Sequence, residues 1–394
     1  MKKISIKKGL TLYLEDADKF SVSTFCILFR LPLNRDMVTL NALLSKLFLQ
    51  GCKKYNSEID IAIRLEEILT IMDAQIMKKG EEHIIQIYFK SENEYVEEAF
   101  ELVSDIILGT SLNNLEFAKK QLKSDIEELR TDKRSYAVEK CIENMCNNEI
   151  YGINGDGYIE DIDNISDNDI KKHYEYLISS ANIDIMAIGN CKEDNIREYI
   201  DNYLKFDQRE IINVNTQYKY IPEEVKDIEE QMDITQSKLV LGIRMNIEPQ
   251  GDMWYKALVA NEIFGGGPSS ILFNKAREAE GLCYYISSRI LRFKSIMLIE
   301  AGIESKSKDK ILGIVKESLM NIETDDIETA KKNIINSFNT SEDKAERIMD
   351  YTLGQIVLGS YTSIDDAIAG IKNVSSVKDV FNACKLDTVY MLRS

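Results

Sequence analysis

Two helical runs stop at glycine, one at Gly51 and one at Gly265, and the interval of about 214 residues between them constrains the fold more than any other feature of the chain. Apolar spacing at Leu40, Leu43, Leu44, Leu47 and Phe48 marks the first run as an amphipathic helix, with Gly51 as its C-terminal stop. The second run, Trp254 to Gly265, follows the strand-like segment KLVLGIRMN much as the first follows VSTFCILFRL. Behind each glycine come a further helix, two strand-like segments and another helix. The helices after those paired strands begin near Glu94 and Lys308, again about 214 residues apart. A shared element order at a nearly fixed interval predicts two copies of one α+β unit, each an antiparallel or mixed sheet covered by helices.

The first half opens with the β-rich segments ISIKKG, LTLYLED and VSTFCILFRL. Helices are predicted over 36–50 and 57–70, then the paired strands MDAQIMKKG and HIIQIYFK, then a helix from about 93 to 108. A long charged helical region covers about 113–147, and the strand IDIMAIGN and a helix near 192–204 close this half. Residues 206–234 lack sustained periodicity and contain Pro222 and a cluster of acids. They read as a linker between a first half, 1–205, and a second, 235–394.

A chain of 394 residues with 44% apolar content can bury substantial cores and is too long for a single ordinary one. It has no run of about 18 apolar residues to span a membrane. The N-terminal MKKISIKKGLTLYLED lacks the apolar core and cleavage site of a signal peptide, so the cytoplasm is the expected location. Seven scattered cysteines, an odd number, fit reduced thiols rather than a disulfide framework. The close pair, Cys141 and Cys146, sits about 140° apart around a helix and does not share a face for a metal. A net charge of −17 argues against nucleic acid, whose phosphates need a basic patch.

Residues 262–288, EIFGGGPSSILFNKAREAEGLCYYISS, combine a glycine-rich turn, a Ser-x-Leu-Phe helix, Arg-Glu and Gly-Leu-x-Tyr. In this order they resemble the C-terminal signature of the pitrilysin/insulinase family of zinc metallopeptidases. The whole chain is similar to the family's short bacterial form, in which two homologous halves pack as a clamshell. The resemblance implies an inverted zinc motif, H-x-x-E-H, on the helix that ends at Gly51. Two histidines one turn apart would ligate zinc there, and the glutamate would act as general base. Counted back from Gly51, those positions hold Ala42, Ser45 and Lys46. Alanine has no donor atom, serine is a poor base and a lysine ammonium repels zinc. The family's downstream glutamate ligand falls on Glu128 of KKQLKSDIEELR, with Gln121 where a second glutamate is usual. By itself Glu128 reads as a solvated helix residue, and no zinc is expected in this chain. The two histidines, His83 and His173, have no spacing that would make a metal site and read as ordinary surface or half-buried residues.

The resemblance also implies that Arg277 and Tyr284 act from the second half. Arginine can donate to substrate carbonyls and a tyrosine hydroxyl can stabilise an oxyanion. Without the resemblance they read as a surface helix residue and a strand residue. Gly265, Gly266 and Gly267 read either as a helix stop with a restart near Ser269 or as a flexible lip for a passing peptide. The function implied is a catalytically silent subunit that closes the peptide chamber of a homologous, zinc-bearing partner subunit. Two rivals stand beside it: a structural or peptide-holding homodimer, and an enzyme with an unorthodox site. For the last, the chain offers no P-loop, no G-x-S-x-G and no Cys-His arrangement.

Overall fold

The computed structural model describes residues 1–320 and 326–394. The first half of the chain runs β1 (Lys2–Lys7), β2 (Leu10–Asp16), β3 (Val22–Pro32), α1 (Val38–Leu47), α2 (Glu58–Glu67), β4 (Thr70–Lys79) and β5 (Glu82–Glu92). It continues with α3 (Val96–Gly109), α4 (Leu115–Thr131), α5 (Lys133–Met145), α6 (Ile159–Ile162), α7 (Asp167–Ser180), β6 (Asn182–Gly189) and α8 (Glu193–Asn202). The second half runs β7 (Lys226–Gln231), β8 (Ser237–Arg244), α9 (Gly251–Asn261), β9 (Cys283–Leu291), β10 (Ile296–Ile303) and α10 (Lys308–Met320). It ends with α11 (Ile327–Ser341), α12 (Ala345–Leu358), α13 (Ile364–Lys372), α14 (Lys378–Ala383) and β11 (Lys385–Arg393).

The fold is α+β, and the duplication read from the sequence is present. Starts of α1 and α9, β4 and β9, β5 and β10, and α3 and α10 are separated by 212 to 214 residues. The strand orders are β1-β2-β6-β3-β5-β4 and β7-β11-β8-β10-β9, so the two sheets share one topology apart from the added β1. Within each, the first and last strands of the repeat are parallel (β2 with β6, β7 with β11) and the remaining pairs are antiparallel. The segment read as linker therefore carries an edge strand, β7. Its sequence, KDIEEQ, alternates exposed and half-buried residues, too polar a pattern to stand out as a strand. The charged region expected as one helix is split at Asp132, which leaves helical geometry and caps α5 by accepting from Arg134 N at 3.1 Å.

Spatially the chain forms two compact units that interleave in sequence. One comprises Met1–Glu128, Ile153–Asn215 and Lys344–Gly354; the other comprises Leu129–Gly152, Thr216–Asp343 and Gln355–Ser394. The central strands of each sheet are buried on both faces. On β3, Phe25, Ile27, Phe29 and Leu31 enter the main core of the first unit, while Cys26 and Leu28 face a cavity bordered by α12. That two-sided burial explains why β3 reads as a continuous apolar run instead of an alternating one. The corresponding face of the second sheet is covered by α5, whose Ala137, Val138, Cys141 and Met145 pack with Val240, Leu298 and Tyr390. A buried charge cluster anchors this packing. Arg244 donates to Asp387 at 2.9 Å and Glu149 at 2.5 Å, and Lys294 reaches Glu149 at 2.8 Å. Burial raises the carboxyl pKa of Glu149, but the bonds from Lys294 and Arg244 outweigh it and hold the group ionised, below its ordinary range.

Candidate functional site

The positions matching the zinc motif lie on α1, which is buried on nearly every side. Its N-terminus has no side-chain cap, and Asp161 holds it instead, accepting from Thr39 Oγ1 at 2.8 Å and from Arg35 at 2.5 Å. Ala42 is packed into the core of the first unit. Ser45 turns back on its own helix, its hydroxyl donating to the carbonyl of Ala42 at 2.8 Å. Lys46 Nζ reaches Asp125 Oδ2 on α4 at 2.5 Å. Glu128 lies on the same helix and is exposed. A methyl group, a self-bonded hydroxyl and an ammonium do not fit zinc. Among the described residues there is also no group of three or more His, Cys, Asp or Glu side chains able to hold a metal ion.

The histidines differ from the sequence reading, since both are buried: His83 is 1% and His173 5% exposed. Asn41 on α1 joins them, Nδ2 to His83 Nδ1 at 2.8 Å and Oδ1 to His173 Nε2 at 2.7 Å. The far nitrogen of His83 meets the Gly155 carbonyl at 2.8 Å. A carbonyl must accept, so His83 Nε2 carries the proton and Nδ1 accepts from Asn41. Burial pushes both imidazoles down to about 4, which keeps them neutral. Sequence reasoning missed Asn41, although a polar residue inside the apolar run LNALL was the signal for a buried partner.

In the second half α9 ends at Asn261 and passes through one wide π-helical turn, Glu262–Gly266. Gly265 is required by close approach: a Cβ there would lie 2.8 Å from the backbone nitrogen of Ser288 on β9. Asn261 and Ser288 reinforce that contact, with Ser288 Oγ donating to Asn261 Oδ1 at 2.8 Å. Gly266 is exposed and Gly267 half-exposed. Beside this turn opens a cavity of about 350 Å³ bordered by Glu262, Ser269, Asn274, Lys275 and Asn333. Arg277 lies in the second wide turn, Phe273–Ala279, is 44% exposed and stacks on Phe273 at 4.7 Å. A turn through Gly281 leads to β9, where Tyr284 is 68% exposed. The ladder to β10 pairs Gly302 with Tyr285 and Ile303 with Cys283, which leaves Tyr284 as the extra residue of a bulge on an edge strand. The Gly281 amide donates to the Arg277 carbonyl at 3.1 Å, so the backbone of the arginine lies against the turn that leads into β9.

A family profile described as the peptidase M16 inactive domain matches residues 164–334. The chain is 28% identical to the probable inactive metalloprotease YmfF of Bacillus subtilis (strain 168), over 98% of this chain and 96% of that one. The chain is thus similar to proteins of the M16 peptidase family. The alanine, serine and lysine at the motif positions of α1 accord with the description of that relative as inactive. The fold is shared by a conserved protein from Enterococcus faecalis V583, with a TM-score of 0.92 at 23% identity over 100% of this chain and 98% of that one. A peptidase M16 inactive domain from Pseudomonas fluorescens superposes with a TM-score of 0.80 at 14% identity, over 100% and 98% of the two chains. Among the described residues, no helix is long and apolar enough to cross a membrane.

Proposed function

We propose that this chain is the silent subunit of a two-subunit M16 peptidase, closing the peptide chamber of a homologous zinc-bearing partner and lending it Arg277 and Tyr284. One contrast carries this reading. The zinc positions of α1 are absorbed into packing and an ion pair, while Arg277 and Tyr284 remain exposed where fold stability does not need them. An exposed tyrosine on a bulged edge strand and an exposed arginine near it are free to meet a bound peptide. The guanidinium would grip backbone carbonyls, and the phenol would donate to the oxyanion formed at the partner's metal centre. The cavity beside Gly265–Gly267 is within the size range of small-ligand pockets and would take a substrate side chain.

The test is reconstitution with a homologue that carries an intact H-x-x-E-H, following peptide cleavage and complex mass together. The mixture should cleave peptides faster than the homologue alone. Tyr284→Phe keeps the ring and removes one donor, and should lower kcat by about 10²–10³-fold. Arg277→Ala should mainly raise KM, as expected for uniform binding of ground and transition states. Full activity in both variants would reduce the chain to a scaffold. Failure of any M16 homologue to bind it would remove the reading altogether.

A further inference from the structure

Cys26 of β3 and Met349 of α12 meet sulfur to sulfur on the second face of the first sheet, the thiol donating to Met349 Sδ at 3.4 Å. Both are buried, yet both border a cavity of about 350 Å³ that lies wholly within the first unit. Two more thioethers border the same space: Met186, the cross-strand partner of Cys26 on β6, and Met77 on β4. Cross-strand partners hold their Cβ atoms about 5 Å apart on one face, so Met186 stands beside the thiol. Gln86 Nε2 donates to Cys26 Sγ at 3.4 Å, a contact suited to a sulfur carrying negative charge. Methionine often serves as filler for irregular gaps in cores. Filler would close the gap, whereas here a thiol and three thioethers surround space that stays open.

We propose that Cys26, Met186 and Met349 form a binding site for one soft monovalent metal ion, copper(I) by its chemistry, reached through the cavity they border. Thiolate and thioether donors select copper(I) over harder ions. Each of the three carboxylates bordering the cavity has a partner: Glu346 accepts from Tyr88 at 3.1 Å with Lys90 at 3.6 Å, Asp350 pairs with Lys79, and Asp73 accepts from the backbone nitrogen of Ala74 at 2.8 Å. Burial first, and the Glu346 charge second, push the Cys26 thiol up to about 12, so without metal it is protonated. On binding, the S–H bond breaks, an S–Cu bond forms and the proton leaves to solvent; no electron is transferred. The thiolate and a monovalent ion sum to zero charge, which suits a buried site. This site is independent of the partner reading, because it lies in the first unit and uses none of the residues invoked there.

The test is anaerobic titration of the full-length chain with copper(I) against a chromogenic chelator such as bicinchoninate. The expected result is one tightly held equivalent with sulfur-only scattering by copper X-ray absorption. Cys26→Ser should abolish it. Met349→Leu and Met186→Leu, near-isosteric changes that keep the fold, should each weaken it by about 10-fold or more. Cys384→Ser, at the most accessible of the other thiols, should leave binding unchanged. Circular dichroism and unfolding midpoints of all variants separate lost binding from lost folding. Wild-type binding no tighter than that of folded Cys26→Ser, or of folded Met349→Leu, would overturn the proposal, as would oxygen ligands in the absorption spectrum.

Discussion

Lys46 of α1 and Asp125 of α4 form an ion pair of 2.5 Å that joins the helix carrying Ala42 and Ser45 to the helix carrying Glu128. Both partners are partly exposed, and such pairs contribute about 0–1 kcal/mol. Lys46→Met and Asp125→Asn should each lower stability by less than about 1 kcal/mol, with a double-mutant coupling in the same range. Denaturant unfolding of the four proteins measures it. A coupling of several kcal/mol would mean the pair carries α1 in a way its exposure does not suggest.

Restoring the motif should fail. Ala42 and Ser45 are 1% and 2% exposed, so Ala42→His and Ser45→Glu force bulk and charge into a filled core. The triple change Ala42→His, Ser45→Glu, Lys46→His should destabilise the chain by about 3 kcal/mol or more and still bind less than one zinc per molecule. Elemental analysis after dialysis and a melting curve decide it. Stoichiometric zinc in a stable triple variant would show that α1 keeps the geometry of a live site.

Stability should fall as pH drops from 7 to 5. The folded-state pKa of His83 and of His173 lies near 4, below the ordinary 6.5, so the unfolded chain binds more protons throughout this window. Stability present above 6.5 is then lost on acidification, by about 2 kcal/mol per histidine at pH 5. Urea unfolding at pH 7, 6 and 5 should show this slope, and a folded His173→Gln variant should show a smaller one. Equal slopes would mean the imidazoles are not held neutral.

The glycines at the two helix ends should separate by cause. Gly51 has φ +139°, and a Cβ there would lie 2.9 Å from the carbonyl of Asn56, whereas Gly265 is limited only by its approach to Ser288. Gly51→Ala and Gly265→Ala should each cost more than about 1 kcal/mol. Gly267→Ala, where a Cβ would meet only the Glu262 side chain at 3.3 Å, should cost about 0.5 kcal/mol or less. That variant therefore reads any role of the lip in the assembled peptidase without disturbing the fold.

Breaking the buried cluster of the second unit should be the most damaging single change. Arg244→Met leaves Asp387 buried and unpaired, and removes one of the two cations on Glu149. The expected loss is about 3–5 kcal/mol, read by denaturant unfolding, with Arg244→Met/Asp387→Leu milder than Arg244→Met alone.

The repeat was legible because it rests on local signals: helix-stopping glycines, apolar spacing and β-rich runs at a regular interval. Pairing was less so. The alternation in KDIEEQ is weak, and its partner β11 lies at the far end of the chain, so β7 passed for linker. Periodicity identified α5 within a charged helical run, but nothing local says which sheet a helix covers. The replacement of the motif residues by Ala42, Ser45 and Lys46 could be read directly from residue types. What fills the gap, Asp125 against Lys46 and Asn41 between two histidines, depends on contacts 42 to 132 residues apart in sequence. Exposure of Arg277 and Tyr284 likewise follows from the bulge and the edge position of β9, neither of which the segment itself announces.

The interleaving of the two units has a consequence for synthesis on the ribosome. Every strand of the first sheet has been made once Gly189 emerges, but Lys344–Gly354, which completes that unit, follows 155 residues later. At ordinary elongation rates this is a wait of roughly 8–30 s. During it, the side of the sheet bearing Cys26, Leu28 and Met186 stands open to water. The nascent chain is therefore at its most adhesive in mid-translation, and a truncation before residue 344 would make that transient condition permanent.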